Sequence, residues 1–199
     1  MVLSRESGYR GYVFGSSMKK QDLLEGKSVV LRVPRPEDRG DITENINDPE
    51  IFRWTLMIPD PYTPEHAGDF LDHVKKSREE GSGYVFGIVL KGTDEIVGMV
   101  SVEDIDRRNR TGKVGYWLSG KHRGRGMARE ALQLLSEYAF DVQGLHRISA
   151  CIFEGNERSE RLLIACGFSR EGLLRDRYVK DGEYRSCTLY SLLETDRIW

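Results

Sequence analysis

The segment Gly120–Glu130, GKHRGRGMARE, has the residue types and the spacing of a phosphate-binding turn. Gly124 and Gly126 let the backbone turn tightly and approach a ligand without interference from a Cβ atom. Successive N–H groups there, with the positive end of the helix predicted to follow, form a site for a phosphate or pyrophosphate. Four cationic side chains add to this site, at Lys121, Arg123, Arg125 and Arg129.

Three phosphate-binding patterns can be compared with this segment. A P-loop requires GxxxxGK followed by Ser or Thr, and the segment lacks that ending. A dinucleotide fingerprint requires GxGxxG as the first turn of a doubly wound sheet, but here Arg129 stands at the third glycine position and the segment comes late in the chain. The pattern that fits is Arg or Gln, two residues, Gly, one residue, then Gly or Ala, which runs from Arg123 to Ala128.

Three longer stretches carry a resemblance to a known family. They are GYWLSGKHRGRGMAREAL, then GNERSERLLIACGFSREG, then DGEYR before LYSLL. In this order they resemble the GCN5-related N-acetyltransferases (GNAT), and within them the RimJ/RimL type, which acetylates ribosomal-protein N-termini. With the weaker stretches DPEIFRW and PYTPEHA, the resemblance spans residues 27–195.

The resemblance implies a binding mode for acetyl-CoA, the cosubstrate. No metal is expected, because the histidines at 66, 73, 122 and 146 lack the spacing of metal ligands. Two parallel strands would splay apart, and the pantetheine would run along the backbone of Tyr116, Trp117 and Leu118. Packing of alternate side chains in a strand also explains these three residues, and both interpretations can hold together. The pyrophosphate would lie on the backbone amides of Arg123, Gly124, Arg125, Gly126, Met127 and Ala128.

Acetyl transfer to an amine requires a group that removes a proton, because α-amines have pKa values of about 7.7–8.0 and are largely protonated at neutral pH. Glu103 is the first candidate for this base. By strand alternation it shares a mostly apolar face with Val97, Met99 and Ser101. The alternative is an exposed carboxylate at the end of a strand, and the sequence leaves both interpretations open.

The departing thiolate requires a proton donor, which many members of the superfamily supply from a tyrosine on the helix after the second parallel strand. Leu163 occupies that position here, so the tyrosine cannot be carried over. In the RimJ/RimL type the proposed substitute is a serine three residues after the asparagine, which is Ser159 here. Asn156 would bind the pantetheine or an ordered water, whereas capping of the helix explains both residues structurally.

Apolar periodicity predicts the elements that position these residues. The predicted strands are Ser28–Val33, Tyr84–Leu90, Ile96–Asp104, Lys113–Leu118, Arg147–Phe153, Leu173–Lys180 and Glu183–Leu193. The last two form a hairpin with a type I′ turn at Asp181-Gly182. The predicted fold is α+β, with a mixed, mostly antiparallel sheet of about seven strands.

Four helices are predicted between these strands, placed on both faces of the sheet. Pro49 limits or kinks the first, and the second begins at Thr63 and ends at Gly81. The third follows the phosphate-binding turn, and the fourth opens at Asn156 and runs through Ala165, with Gly167 as its C-terminal glycine. The third helix and its flanking strands form a central βαβ unit, the arrangement expected of a GNAT fold.

Composition and charge exclude several classes of protein. The 199 residues, 39% hydrophobic and 31% charged, are typical of one globular domain, and a net charge of −2 disfavours nucleic-acid binding. No apolar run approaches the roughly 20 residues of a membrane-spanning helix, and the N-terminus lacks a secretory signal, so a cytoplasmic protein is expected. Cys151, Cys166 and Cys187 are expected to be small core residues rather than a disulfide framework.

The sequence therefore predicts an acetyl-CoA-dependent N-acetyltransferase domain over residues 27–199, preceded by a loosely ordered extension over 1–26. The expected acceptor is the α-amine of a protein N-terminus, without membrane or nucleic-acid partners. Two alternatives stay open, a small-amine or polyamine acetyltransferase and a non-catalytic CoA-binding module. The long C-terminal hairpin could form the edge of a homodimer, or it could be covered within the monomer.

Overall fold

A single eight-stranded sheet organises the chain in this computed structural model, which describes residues 22–197. The strands are β1 (Leu23–Glu25), β2 (Val29–Arg32), β3 (Tyr84–Leu90), β4 (Ile96–Asp106), β5 (Thr111–Leu118), β6 (Arg147–Phe153), β7 (Ser169–Lys180) and β8 (Glu183–Leu193). Their order is β1-β2-β3-β4-β5-β6-β8-β7, and every neighbouring pair is antiparallel except β5 and β6. The predicted α+β class is confirmed, with eight strands rather than about seven.

Helices cover both faces of the sheet, as predicted. They are α1 (Arg39–Ile46), α2 (Pro49–Trp54), α3 (Pro64–Glu80), α4 (Met127–Glu137) and α5 (Glu157–Ala165). One apolar cluster joins α1 and α3 to the sheet, and the larger cluster joins α4 and α5 to its other face. Pro49 begins a separate helix rather than kinking the first one, because proline fits the first turn, where its missing N–H is not needed.

The sheet begins earlier than the sequence predicts. Leu23–Glu25 falls within the predicted extension over residues 1–26, yet it pairs with β2, with Leu24 opposite Leu31. Asp22 also accepts a hydrogen bond from Arg78 on α3. The boundary predicted after residue 26 is therefore too late, and the remainder of that extension, residues 1–21, lies outside the described residues.

The predicted helix ends and the hairpin turn are confirmed. Thr63 accepts a hydrogen bond from the His66 amide at the start of α3, and Gly81 ends that helix with a φ of +68°. At the tip between β7 and β8, Asp181 and Gly182 have φ values of +53° and +80°. Two successive positive φ values are typical of a type I′ turn, whose twist matches that of the flanking strands.

The two parallel strands separate soon after they pair. The strands β5 and β6 pair only where Thr111–Lys113 lie beside Arg147–Ser149. From there β5 continues beside β4 up to Leu118, whereas β6 continues beside β8 up to Phe153. The carboxyl ends of β5 and β6 therefore diverge, and a V-shaped gap lies between them.

A bulge alters the predicted face of β4. Ile88 lies opposite Gly98 and Val89 opposite Ile96, so Val97 is the additional residue on β4. A bulge reverses the alternation of side chains along a strand. Val97 consequently packs with the α4-side cluster and Met99 with the α3-side cluster, so the predicted grouping of Val97 with Met99, Ser101 and Glu103 is wrong for Val97.

All three cysteines are free thiols. Cys166 and Cys187 are buried, as expected, whereas Cys151 is only half-buried. The Cys187 thiol lies 2.8 Å from the Cys151 sulfur, across β8 and β6.

Candidate active site

The open end of the V forms a cleft of about 440 Å³. Its walls are the end of β5, the turn that leads into α4, the turn between β6 and α5, and residues of α2. The predicted ligand-binding residues that line it are Tyr116, Trp117, Leu118, Arg123, Gly124, Gly126, Met127, Ala128, Asn156 and Ser159. Arg125 is the exception, since its side chain is exposed and does not line the cleft.

The phosphate-binding turn presents bare backbone to this cleft. Gly124 and Gly126 both have a φ of +79°, and a Cβ atom added at either would meet nothing within 4 Å. Gly126 is the N-cap of α4 and has no side chain with which to bind the first amides of the helix. Met127 is buried directly behind it and anchors the turn to the core. The amides of the first turn therefore face open space at the positive end of α4.

The side chain of Arg123 holds the turn in place rather than reaching into solvent. Its Nε donates to the Leu118 carbonyl oxygen at 3.0 Å, and its Nη2 lies 2.7 Å from Asp48 Oδ2. The other oxygen of Asp48 accepts the Glu50 amide at the start of α2 at 2.9 Å. Arg123 thus ties the end of β5 to α2, and the backbone rather than the guanidinium of Arg123 faces a ligand.

Sequence reasoning missed the wall that α2 supplies. Glu50, Ile51, Trp54 and Thr55 line the cleft, and their spacing places them on one face of a helix. Trp54 donates from Nε1 to Glu50 Oε2 at 3.1 Å, and its ring reaches Gly155, at 3.7 Å from the position of an added Cβ atom. The helix therefore crosses the open V from the end of β5 to the end of β6.

Three further arginines line the cleft. Arg129 on α4 was predicted as a cationic side chain of the phosphate site, whereas Arg158 and Arg161 on α5 were missed. Arg161 pairs with Glu157 at 3.0 Å, one turn away on the same helix. The cationic side chains and the start of α4 together make this side of the cleft suitable for an anionic ligand.

Both interpretations of Asn156 are compatible with its position. Its Oδ1 accepts the Ser159 amide at 3.3 Å, which caps α5, and the same residue lines the cleft. Tyr116 reaches across from β5 and donates its hydroxyl to the Ser159 carbonyl oxygen at 3.5 Å, and burial raises the pKa of this phenol. On α5 itself, the position of the superfamily's tyrosine is occupied by Leu163, which is fully buried. The phenol beside this helix therefore comes from Tyr116 on β5.

Glu103 lies outside the lining of the cleft, on the face of β4 that packs against α3. Its Oε2 accepts the Ser101 hydroxyl at 2.9 Å, and its Oε1 lies 3.1 Å from His73 Nε2. The carboxylate is 38% exposed, so its surroundings are more polar than the apolar face expected from the sequence.

Comparison with known proteins agrees with this geometry. The family model described as an acetyltransferase (GNAT) domain matches residues 28–169. The chain belongs to the GNAT acetyltransferase family. A Bacillus licheniformis protein named as the uncharacterized N-acetyltransferase p20 is 32% identical over 176 residues, which cover 88% of this chain and 98% of that protein. The predicted enzyme class, an acyltransferase that performs acetyl transfer with acetyl-CoA as cosubstrate, is confirmed.

Two further relatives belong to the RimJ/RimL type. The ribosomal protein uS5-alanine N-acetyltransferase of Escherichia coli is 31% identical over 127 residues, 63% of this chain and 66% of that protein. Mycobacterium smegmatis RimJ, solved with CoA-disulfide, superposes with a TM-score of 0.80 at 25% identity, covering 86% of this chain and 84% of that one. The predicted resemblance to this branch of the family is confirmed.

Two further findings concern metal binding and membrane-spanning helices. Over residues 22–197, no cluster of three or more His, Cys, Asp or Glu side chains could hold a metal ion. No helix in the same range is both long and apolar enough to cross a membrane.

The link between Arg123 and Asp48 gives a testable prediction for this acetyltransferase. We expect Asp48→Ala to lower the free energy of unfolding by about 1–2 kcal/mol, because it removes both the cap of α2 and the partner of Arg123. It should also raise the KM for acetyl-CoA severalfold with little change in kcat. The turn loses the contact that positions it, whereas the groups proposed to transfer protons are unchanged. Thermal unfolding and steady-state kinetics measure the two effects.

Glu44→Gln is the matched control for Asp48→Ala. Glu44 on α1 pairs with Lys121 at 2.8 Å, so this ion pair also joins a helix to the turn after β5. Both of its side chains, however, are largely exposed. Exposed ion pairs contribute little to stability, so this variant should behave like the wild type. Equal effects of the two substitutions would show that the half-buried link between Arg123 and Asp48 has no special role.

Proposed function

We propose that this acetyltransferase transfers the acetyl group of acetyl-CoA directly to the α-amine of a protein N-terminus. The observation that carries the proposal is the cleft itself, which joins an anion-binding turn to the gap between two splayed strands. Residues of α2 also line this gap. A direct transfer needs no covalent enzyme intermediate, so the cysteines have no nucleophilic role.

The residues present fit acetyl-CoA. The open amides of Gly124 through Ala128 suit the pyrophosphate, and the backbone of Tyr116 to Leu118 suits the pantetheine. Arg129 and Arg158 lie where a negatively charged cosubstrate would enter. When bound, acetyl-CoA supplies an activated thioester, and the protein supplies position and proton transfer.

Two side chains are proposed to handle protons. Glu103 takes up the proton of the acceptor ammonium, because its carboxylate lies on the α3 side of β4, outside the lining of the cleft proposed for the cosubstrate. Ser159 lines the cleft on the opposite side and provides the hydroxyl for the departing thiolate. Asn156 orients the start of α5, and with it Ser159.

The contacts of α1 and the residues around it weaken the alternative of a polyamine acceptor. A polycation requires free carboxylates, and five candidates stand at Glu37, Asp38, Asp41, Glu44 and Asp48. Four of the five already have partners: Asp38 with Arg32, Asp41 with the Ile96 amide, Glu44 with Lys121, and Asp48 with Arg123. The acidic row in the sequence is therefore largely used in holding the fold together.

Relatives at modest identity support a protein acceptor. The names of two Escherichia coli relatives are ribosomal protein uS5-alanine N-acetyltransferase, at 31% identity, and ribosomal-protein-serine acetyltransferase, at 29%. An N-terminal amine also suits the chemistry. At pH 7 about 10% of an α-amine is neutral, against about 0.04% of a lysine side chain.

Release of free CoA thiol, measured with three acceptors, tests the proposal. The acceptors are a lysine-free peptide with a free N-terminus, an N-terminally blocked peptide with one lysine, and spermidine. We expect kcat/KM at pH 7 to be at least about tenfold higher for the free N-terminus, because more of that amine is neutral. Mass spectrometry should place the acetyl group on the first residue. Preference for spermidine or for the lysine peptide would overturn the proposal in favour of a small-amine or side-chain acetyltransferase.

A further inference from the structure

Three polar side chains form a continuous hydrogen-bonded chain on the α3 side of the sheet. Ser101 and Glu103 lie two residues apart on β4 and therefore point to the same face. The Ser101 hydroxyl donates to one oxygen of Glu103 at 2.9 Å, and the other oxygen lies 3.1 Å from Nε2 of His73 on α3. No part of this chain belongs to the lining of the cleft.

The inner end of the chain lies beside the cleft. Ser101 is 7% exposed and stands opposite Gly115 in the register of β4 and β5, directly before the cleft residue Tyr116. A Cβ atom at Gly115 would lie 3.2 Å from Ser101 Oγ and would meet no other atom within 4 Å. The missing side chain at Gly115 therefore leaves open space next to the Ser101 hydroxyl, beside the cleft.

The outer end of the chain is at the surface. The His73 side chain is 58% exposed and that of Glu103 is 38% exposed, so exposure increases from Ser101 towards His73. A proton that reaches this end of the chain can pass to water.

We propose that Ser101, Glu103 and His73 form a proton relay, which takes the proton of an acceptor ammonium placed beside the cleft, in the open space next to Gly115, and carries it to solvent. This inference rests on the proposed function. The ammonium gives its proton to Ser101 Oγ as the Ser101 hydroxyl proton moves to Glu103, which restores the hydroxyl and leaves a neutral amine. Glu103 then carries the proton on Oε2, and rotation of its carboxyl group turns this proton towards His73. At rest Nε2–H donates to the Glu103 carboxylate, and exchange with water at the exposed ring moves that proton to Nδ1 and frees Nε2. Nε2 takes up the proton from Glu103, and the resulting imidazolium releases its Nδ1 proton to water, which restores the resting state. Ser101 contacts the acceptor, Glu103 is the base, and His73 is a positioning and exchange residue.

The other charged groups around Glu103 have partners of their own. Lys113, which is opposite Glu103 on β5, bonds to Asp104 at 2.9 Å. On α3, Lys76 lies 4.0 Å from Glu80. Arg107, at the end of β4, donates to the Gly81 carbonyl, to Tyr84 and to Gln143. His73 is thus the ionisable side chain that contacts the Glu103 carboxylate directly.

The pH dependence of His73→Gln tests the relay. With a peptide bearing a free N-terminus, kcat/KM should fall about tenfold at pH 6.5, where the amine arrives protonated and the relay is needed. At pH 9 the α-amine is already largely neutral, so the loss should shrink to less than about twofold. Ser101→Ala should show the same recovery at high pH without any change in α3. Free imidazole in the buffer should restore activity to His73→Ala, because that position is exposed.

His146→Gln is the matched control, since His146 also contacts a glutamate, Glu194, at 3.0 Å and is similarly exposed. This variant should match the wild type at every pH. An equal loss at pH 6.5 and pH 9 for His73→Gln, with no recovery by imidazole, would show a structural role and overturn the relay. A wild type that acetylates a different amine would overturn only the proposed function. The relay would then be tested with that amine, by comparing pH values well below and above the pKa of the amine, which for a lysine side chain is about 10.4.

Discussion

Glu103→Gln is expected to lower kcat for an N-terminal peptide by about 10²-fold at pH 7, the lower range for loss of a general base. The amide keeps the size of the side chain and can still accept the Ser101 hydrogen bond, but it cannot take up a proton. Because Glu103 does not line the cleft, the dissociation constant for acetyl-CoA should stay unchanged. Steady-state kinetics and calorimetry on the same preparation separate the two quantities.

Asp104→Asn provides the control for this substitution. Asp104 is the neighbouring carboxylate, it is exposed, and it bonds to Lys113 rather than to Ser101 or His73. Its φ of +49° is tolerated by asparagine, so the backbone is not disturbed. We expect wild-type kcat from this variant. If Glu103→Gln retained full kcat, or if acetyl-CoA binding fell in parallel, Glu103 would not be the base.

Gly126→Ala is expected to weaken acetyl-CoA binding by at least about tenfold, or about 1.4 kcal/mol. The added methyl group meets no protein atom within 4 Å, so it projects into the space in which the pyrophosphate is proposed to lie. The residue also has a φ of +79°, and a side chain there costs about 1–2 kcal/mol of stability. Calorimetric titration gives the binding constant, and thermal unfolding gives the stability.

Gly182→Ala separates backbone strain from ligand contact. Gly182 has a φ of +80° and equally open surroundings, but it lies at the tip of the β7–β8 hairpin. Both variants should lose similar stability, and only Gly126→Ala should lose affinity. Equal affinities for acetyl-CoA in the two variants would remove the turn at Arg123–Ala128 from the binding site.

Local signals predicted the elements nearest to the site accurately. The β-branched run of β6, the cap at Asn156 and the glycine at Gly167 are short-range features, and the structure has all three where the sequence placed them. The glycine turn before α4 was equally visible, because a positive φ and a helix start both leave local sequence signatures. The side of the cleft formed by α4 and α5 therefore follows largely from sequence.

The acceptor side depends on tertiary contacts that a single sequence does not carry. Helix α2 has only six residues, begins with Pro49, and becomes a wall only because Trp54 reaches Gly155. The acidic residues of α1 look free in the sequence, but their partners come from distant segments. The contact of Glu103 with His73 joins residues 30 positions apart and follows from the packing of α3 on β4.

Two errors have simple backbone causes. Three residues, Leu23–Glu25, are too short a run to predict a strand, and they form β1 only because the edge of β2 is available for pairing. The bulge at Val97 shifts the alternation on which the face of β4 was predicted. Beyond the bulge, regular alternation places Ser101 and Glu103 on one face, as expected.

Calorimetric titration of the purified protein with acetyl-CoA tests most directly whether the cleft between β5 and β6 holds this cosubstrate. We expect a single binding event in the micromolar range, about −8 kcal/mol at 1 μM, and no heat with NAD as the control. Absence of heat with acetyl-CoA, together with no displacement of CoA already bound to the protein, would contradict the assignment of the cleft.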